Sequence, residues 1–307
     1  MKLISLVVPC LNEELALPFF YDEVAHVAAT LTEYNFEFIF IDDGSRDNTL
    51  NILKELHERD SRVKYLSLSR NFGKESALYA GLSEARGDYI AALDADLQHP
   101  PSYLPQMLEI VNTGEYDRAA LRCVNRKNEP LIRSFFAKCF YKTINAVSQA
   151  EIVDGAKDYC LMTRRMLDAI LLLCEYNRFS RGIFEWVGFN TYWIEYENVV
   201  REHGETKWSF WRLFKYAING IIAFSATPLF IAFIIGVLFC LMAVLGFVYC
   251  FAGTFLPFNT ANFLLVSCVV FIGGVQLICL GIAGMYISTI YFEVKNRPLY
   301  ILKEKSE

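Results

Sequence analysis

A chain of 307 residues, 54% of them hydrophobic, is long enough for one large domain plus an appendage and more apolar than an ordinary soluble protein. A formal charge of -5 advertises no dominant basic face, which argues against nucleic acid as a partner. Nine cysteines, spread from Cys10 to Cys279 without a C-x-x-C pair, argue against a disulfide framework or a zinc site and fit reduced thiols in the cytosol or bilayer.

The N-terminus has a short apolar run before polar residues arrive, so it reads as a first strand rather than a signal peptide. That strand is Leu3–Val8, followed by Pro9 to Glu14. Asn12 is the expected helix N-cap, with Glu13 and Glu14 in the first turn where the dipole favours them and the helix running to about Tyr34. Phe36–Ile41 is a second apolar strand, ending in Asp42-Asp43-Gly44-Ser45 before a helix through His57. Val63–Leu68 is a third, leading through Ser69-Arg70-Asn71-Phe72-Gly73-Lys74 into a helix over 75–85. The fourth strand, Tyr89 to Leu93, ends abruptly on Asp94-Ala95-Asp96, and Pro100-Pro101 stop any regular element. This β-α alternation with continuous apolar runs predicts an α/β fold whose mostly parallel sheet is covered on both faces.

Four polar loops therefore fall at one edge of the sheet: 9–14, 42–45, 70–74 and 94–98. In open α/β sheets that carboxyl edge is where ligands bind. None of the loops is a G-x-G-x-x-G or a Walker-type glycine loop, so phosphates there need a metal and basic side chains. Asp94 and Asp96, one residue apart at a strand end, can share a hard divalent cation completed by phosphate oxygens and water. Taken alone the same D-x-D is equally a turn in which Asp caps the next segment. His99 beside Pro100 reads as loop packing rather than as a ligand.

Further on, a helix is expected from Tyr103 to about Asn112, then a polar region with Arg122, Arg126, Lys127 and Arg133, and an amphipathic helix from Ser134 to Ile152. Asp158 precedes a short strand, Tyr159–Met162; Arg164 and Arg165 open another helix, and Tyr192–Val199 reads as a strand. No Asp, Glu, Lys or Arg occurs between Tyr216 and Phe292. Leu229–Phe251 and Phe263–Phe292 are each long enough to cross a hydrocarbon core of roughly 30 Å. Gln276 in the second reads as helix–helix glue. Trp208–Phe224 mixes aromatics with Arg212 and Lys215, as an interfacial helix does. Basic residues flank the outer ends of both apolar stretches and none lies in the turn between them. By the positive-inside rule both termini are then cytoplasmic. The expected organisation is a cytoplasmic α/β domain at 1–207, a juxtamembrane amphipathic helix at 208–227, spans at 228–253 and 262–292, and a cytoplasmic tail at 293–307.

VVPCLNEE, IDDGSRDNT, RNFGKESALYAGL and DADLQHPP, in that order and spacing, resemble the family 2 glycosyltransferases with a nucleotide-diphosphosugar (GT-A) fold. RCVNR at 122–126, KDYCLM at 157–162, RFSRGIFEWVGF at 178–189, REHGETKW at 201–208 and the paired apolar stretches resemble its polyprenyl-phosphate group, which includes bactoprenol glucosyltransferases and dolichyl-phosphate mannose synthases. The resemblance implies transfer of one hexose, glucose or N-acetylglucosamine, from a UDP-sugar to undecaprenyl or another polyprenyl phosphate at the cytoplasmic membrane face, by single displacement with inversion. It implies a divalent cation, magnesium or manganese, held by Asp94, Asp96 and Gln98. Pro9, Asn12, Glu14, Asp42 and Asp43 match family positions that hold the nucleoside, and Lys74 reaches the same site. Asp158 matches the family's candidate base, and Asp96 joins it as catalytic.

For the acceptor phosphate, the cations expected are Arg122, Arg126, Arg201 and Lys207, since arginine forks match phosphate oxygens. Relatives commonly carry arginine where this chain has Cys160, which puts that set in doubt. Three other readings compete: a GDP-mannose-dependent mannosyltransferase, a processive polysaccharide synthase, and a non-catalytic membrane-tethered sugar-nucleotide-binding scaffold. The synthases carry a Q-x-x-R-W segment and more spans, neither seen here, and the intact Asp94, Asp96 and Asp158 speak against the scaffold. A homo-oligomer is left open.

Overall fold

The strands form where the chain is apolar on both faces. A computed structural model describes residues 1–125, 153–197, 227–251 and 258–306. In β1 (Lys2–Cys10), Ile4, Leu6 and Val8 enter one core cluster while Val7 enters another on the opposite face. β2 (Tyr34–Asp42) divides in the same way, with Phe36, Phe38 and Phe40 against Ile39 and Ile41. Alternate side chains point to opposite faces of a strand, so an uninterrupted apolar run is what a doubly covered sheet requires. The first cluster is covered by α1 (Leu17–Thr30), α2 (Thr49–Arg59) and α4 (Leu104–Asn112). The second lies under α3 (Lys74–Glu84), α5 (Arg164–Leu171) and α6 (Ser180–Trp186).

With β3 (Val63–Leu68), β4 (Tyr89–Ala92), β5 (Arg118–Asn125), β6 (Ala156–Thr163), β7 (Thr191–Glu197) and β8 (Leu302–Lys305), the sheet has eight strands in the order β7-β5-β6-β4-β1-β2-β3-β8. Four of its seven pairings are parallel, so the mostly parallel GT-A-like sheet expected from the sequence is present. From β1 the chain winds outward through β2 and β3, then returns to place β4 on the other side of β1. That reversal opens a crevice beyond the carboxyl ends of β1 and β4, the switch point at which such sheets bind ligands.

The first helix differs from expectation at both ends, starting at Leu17 rather than after Asn12 and stopping at Thr30, while Tyr34 opens β2. Asn12 is not an N-cap: it has a left-handed φ of 54°, and its side-chain oxygen accepts the Arg46 N–H at 2.9 Å. The helix starts only at Leu17, with a proline in its first turn, because the 12–14 segment is tied across to the loop after β2. Thr163 does cap α5, its Oγ1 accepting the Met166 N–H.

The C-terminal segment returns to the sheet. α7 (Thr227–Phe251) and α8 (Phe258–Val294) pack together, Phe239 meeting Phe271 edge-on at 5.1 Å. Among the described residues one stretch, Phe271–Val294, is long and apolar enough to cross a membrane. Its Leu277, Ile278 and Leu280 are more than three-fifths exposed, a face that water would not favour. At 37 residues α8 is roughly 55 Å long, more than a bilayer core needs. Its far end docks on the α/β domain: the Phe292 ring stacks on Tyr176 at 5.2 Å, and Glu293 accepts the Tyr176 N–H at 2.8 Å. β8 then pairs antiparallel with β3 and closes that edge.

A buried carboxylate on β2 ties the central strands together toward their amino ends. Glu37, 5% exposed, accepts from Ser5 Oγ at 2.5 Å, the Arg86 N–H at 2.7 Å and Lys64 Nζ at 2.6 Å. Burial alone would raise its pKa, but Lys64, Ser5 and Arg86 override that and hold it below the ordinary glutamate value. A carboxylate depressed in the folded state stabilises fully above its unfolded pKa and ceases to as pH falls through the folded one. Glu37→Gln is therefore expected to cost about 2–3 kcal/mol at neutral pH and to flatten the acid limb of stability below about pH 4.5. Melts of the detergent-solubilised protein from pH 7 to 3 check this; an unchanged acid limb would contradict it.

Candidate active site

The loops at the crevice are joined by a relay of hydrogen bonds running along the carboxyl edge. After β1, Asn12 N–H donates to Ser45 Oγ at 2.9 Å, and Glu14 Oε2 accepts the Asn48 N–H at 2.9 Å. After β2, Asp42 accepts the Ser45 N–H and the Ser67 hydroxyl, both at 2.9 Å. Asp43 accepts the Phe72 and Gly73 N–H groups at 2.7 and 2.9 Å, which ties the β2 loop to the β3 loop. Burial pushes the Asp43 pKa up while those two N–H groups pull against it. The two aspartates are only 1% and 3% exposed. Their hydrogen bonds fix the loops after β2 and β3, beside the 12–14 segment.

The relay ends in a four-residue ion cluster over the crevice. Lys74, the first residue of α3, places Nζ 2.7 and 2.8 Å from the two oxygens of Asp94 and 2.5 Å from Asp158. Arg181 Nε donates to the other Asp158 oxygen at 2.8 Å. β6 runs antiparallel to β4, so Asp158 near its start arrives at the same edge as Asp94 just past the end of β4. Burial opposes charge on Asp158, yet Arg181 and Lys74 together hold its pKa well below the carboxylate range. A carboxylate so stabilised is a weak base, better suited to holding cations in place than to taking a proton. Lys74 is likewise disfavoured by burial but raised by Asp158 and Asp94, and stays charged.

Arg181 was not among the residues expected at the site, although it lies inside the 178–189 stretch that carries the resemblance. Its support is local. Ser180 donates both its N–H, at 3.0 Å, and its hydroxyl to Glu75, the neighbour of Lys74, so the starts of α3 and α6 are joined beneath the cluster.

Asp96 and Gln98 follow on the next turn, where Leu97 takes a left-handed φ of 54° and Asp96 accepts the Gln98 N–H at 3.2 Å. His99 is buried against Tyr196 at 5.7 Å between ring centres, in keeping with loop packing; burial and then Lys157 lower its pKa. Arg122 lies in the second half of β5, its Nε donating to the Asp154 carbonyl at 3.2 Å. Arg126, Arg201 and Lys207 lie outside the described residues, as do the expected helices at 134–152 and 208–224. Cys160 is core: it lies in the second apolar cluster, and burial lifts its thiol to about 11.

Among the described residues no three His, Cys, Asp or Glu side chains converge on one metal position. A magnesium-like ion commonly takes only one or two protein carboxylates and completes its shell with phosphate and water, so the donor types of Asp94, Asp96 and Gln98 suit one. The Lys74 ammonium resting on both Asp94 oxygens shows that this position accepts a cation.

The family model described as glycosyl transferase family 2 matches residues 5–171, more than half of the chain and all of the crevice except α6. The SfII prophage-derived bactoprenol glucosyl transferase of Shigella flexneri is 40% identical over 310 residues, covering 98% of this chain and 97% of that protein. The prophage bactoprenol glucosyl transferase homolog of Escherichia coli (strain K12) is also 40% identical, over 98% of each chain. Among solved structures, the glucosyl-3-phosphoglycerate synthase of Mycobacterium tuberculosis in complex with Mn2+, UDP-glucose and phosphoglyceric acid overlays with a TM-score of 0.48 at 19% identity, covering 72% of this chain and 78% of that one. Nothing is transferred from so distant a likeness. The family match and the end-to-end relatives make the chain a glycosyltransferase, a member of glycosyl transferase family 2.

Proposed function

We propose that this glycosyltransferase moves a single hexose, glucose foremost, from a UDP-sugar to a polyprenyl phosphate at the cytoplasmic face of a membrane, with inversion at the anomeric carbon. The observation that carries this is the Asp94–Lys74–Asp158–Arg181 cluster at the switch-point crevice, supported by the names of the relatives that match end to end. Pro9, Asn12, Glu14, Asp42 and Asp43 form the nucleoside side. A divalent cation, magnesium or manganese, held by Asp94, Asp96 and Gln98 would offset the charge on the diphosphate as it leaves.

The acceptor phosphate is mostly dianionic at neutral pH, since its second pKa is about 6. One of its oxygens forms the new bond to the anomeric carbon as the old bond to the diphosphate breaks, and the electron pair leaves with the diphosphate. No proton has to be removed from such a nucleophile, which matches the low basicity of Asp158. That residue instead fixes Lys74 and Arg181, while Arg122, Arg126, Arg201 and Lys207 are the acceptor-side cations.

In this reading α7 and α8 form a two-span hairpin, residues 228–253 and 262–292, with both termini in the cytoplasm. The preceding 208–227 lies in the interface beneath a 1–207 catalytic domain. The far end of α8 on Tyr176 then holds that domain close to the headgroups.

The test is a panel of labelled nucleotide sugars with polyprenyl phosphate and the purified protein. UDP-glucose is expected to label organic-extractable lipid, and Asp96→Ala to lower that labelling by about a thousandfold. Exclusive use of GDP-mannose would overturn the donor assignment, and unchanged transfer by Asp96→Ala would overturn the metal assignment.

A further inference from the structure

We infer that Lys74 is a counter-cation that competes with the divalent ion for Asp94 and is displaced when that ion binds, so that it gates metal loading. The inference rests on the metal reading above. Both oxygens of Asp94 contact the Lys74 ammonium, at 2.7 and 2.8 Å. A magnesium ion bound to either oxygen would lie about 2.1 Å from it, close enough to the ammonium for strong like-charge repulsion. The two cations would compete for the same two oxygens, so a divalent ion on Asp94 favours withdrawal of Lys74.

The surroundings allow the withdrawal. Lys74 keeps a second anionic partner, Asp158 at 2.5 Å, which Arg181 fixes from the far side. Its side chain is 39% exposed, so it is not locked by packing. An incoming diphosphate offers anionic oxygens to replace the Asp94 contact. Lys74 and Arg181 balance Asp94 and Asp158, and metal and donor load together, with Lys74 moving from carboxylate to phosphate.

The test is the affinity for Mn2+ alone, read by the loss of the free-ion paramagnetic resonance signal in detergent-solubilised protein, with and without UDP. Lys74→Gln is expected to bind Mn2+ about fivefold more tightly than wild type without nucleotide, the equivalent of about 1 kcal/mol. Lys74→Arg, which keeps the charge, should stay within about twofold. In Asp158→Asn, Lys74 loses the partner it retreats to, so Mn2+ affinity should fall severalfold; this variant decides the matter if Lys74→Gln does not fold. Equal or weaker binding by Lys74→Gln, or unchanged binding by Asp158→Asn, overturns the gating role while leaving the proposed function intact. Failure of wild type to bind Mn2+ even with UDP would instead remove the metal reading, and the gating role with it.

Discussion

Arg181→Ala is expected to lower kcat/KM for hexose transfer by about 10²–10³, the usual cost of removing one preorganised donor from a charged site. With wild-type charges the two cations and two carboxylates of the cluster balance. Without Arg181 the crevice carries a net negative charge, while the reaction must admit an anionic donor and a dianionic acceptor side by side. Lys74 would also be drawn more firmly onto Asp158, its position no longer set from two sides. Loss of Arg181 removes the first of the two cations that depress the Asp158 pKa, so that pKa should rise. Arg181→Lys, with the charge but not the guanidinium geometry, should recover part of the activity. Steady-state rates for the three proteins decide it. A fully active Arg181→Ala would show that Asp158 is not held by this contact during turnover.

How visible these features are in the sequence follows from burial. β1 to β4 were legible because both faces of each strand are covered, which forces continuous apolar runs. β5 was not, because its apolar centre, Ala119 to Leu121, lies between two arginines. Arg118 is nonetheless 2% exposed, its guanidinium on Glu185 at 3.0 Å and about 5 Å from the Phe184 and Trp193 rings. β8 reads LKEK and has no apolar pattern; edge pairing to β3 makes it a strand. In the site, Asp94, Lys74 and Asp158 were visible through their motifs, and the fold brings the three side chains into contact. Arg181 was hidden in a quoted motif because nothing local distinguishes it from Arg178; only the approach of α6 to β6 gives it a partner. Asn12 misled for the opposite reason. Its residue type signals a helix cap, yet its oxygen is taken by a loop 34 residues away in sequence.

The loop after β2 offers a large effect on stability. Gly44→Ala is expected to lower the melting temperature by about 5–15 °C, corresponding to about 2–5 kcal/mol. Gly44 has φ of 68°, a left-handed conformation costly for any residue with a Cβ. A Cβ there would also come within 2.6 Å of the Arg70 carbonyl carbon and 2.7 Å of the Asn71 nitrogen, backbone atoms that cannot rotate aside. Relief would push the 70–71 backbone away and pull Phe72 and Gly73 off Asp43, loosening the start of α3 and so Lys74. Gly114→Ala separates the two contributions: its φ of 77° carries the same conformational strain, but nothing lies within 4 Å of its Cβ position. That variant should lose only about 1–2 kcal/mol and keep its donor affinity, whereas Gly44→Ala should lose both stability and donor affinity. Equal melting temperatures for the two variants would mean that the β2 and β3 loops do not approach as closely as the relay to the ion cluster requires.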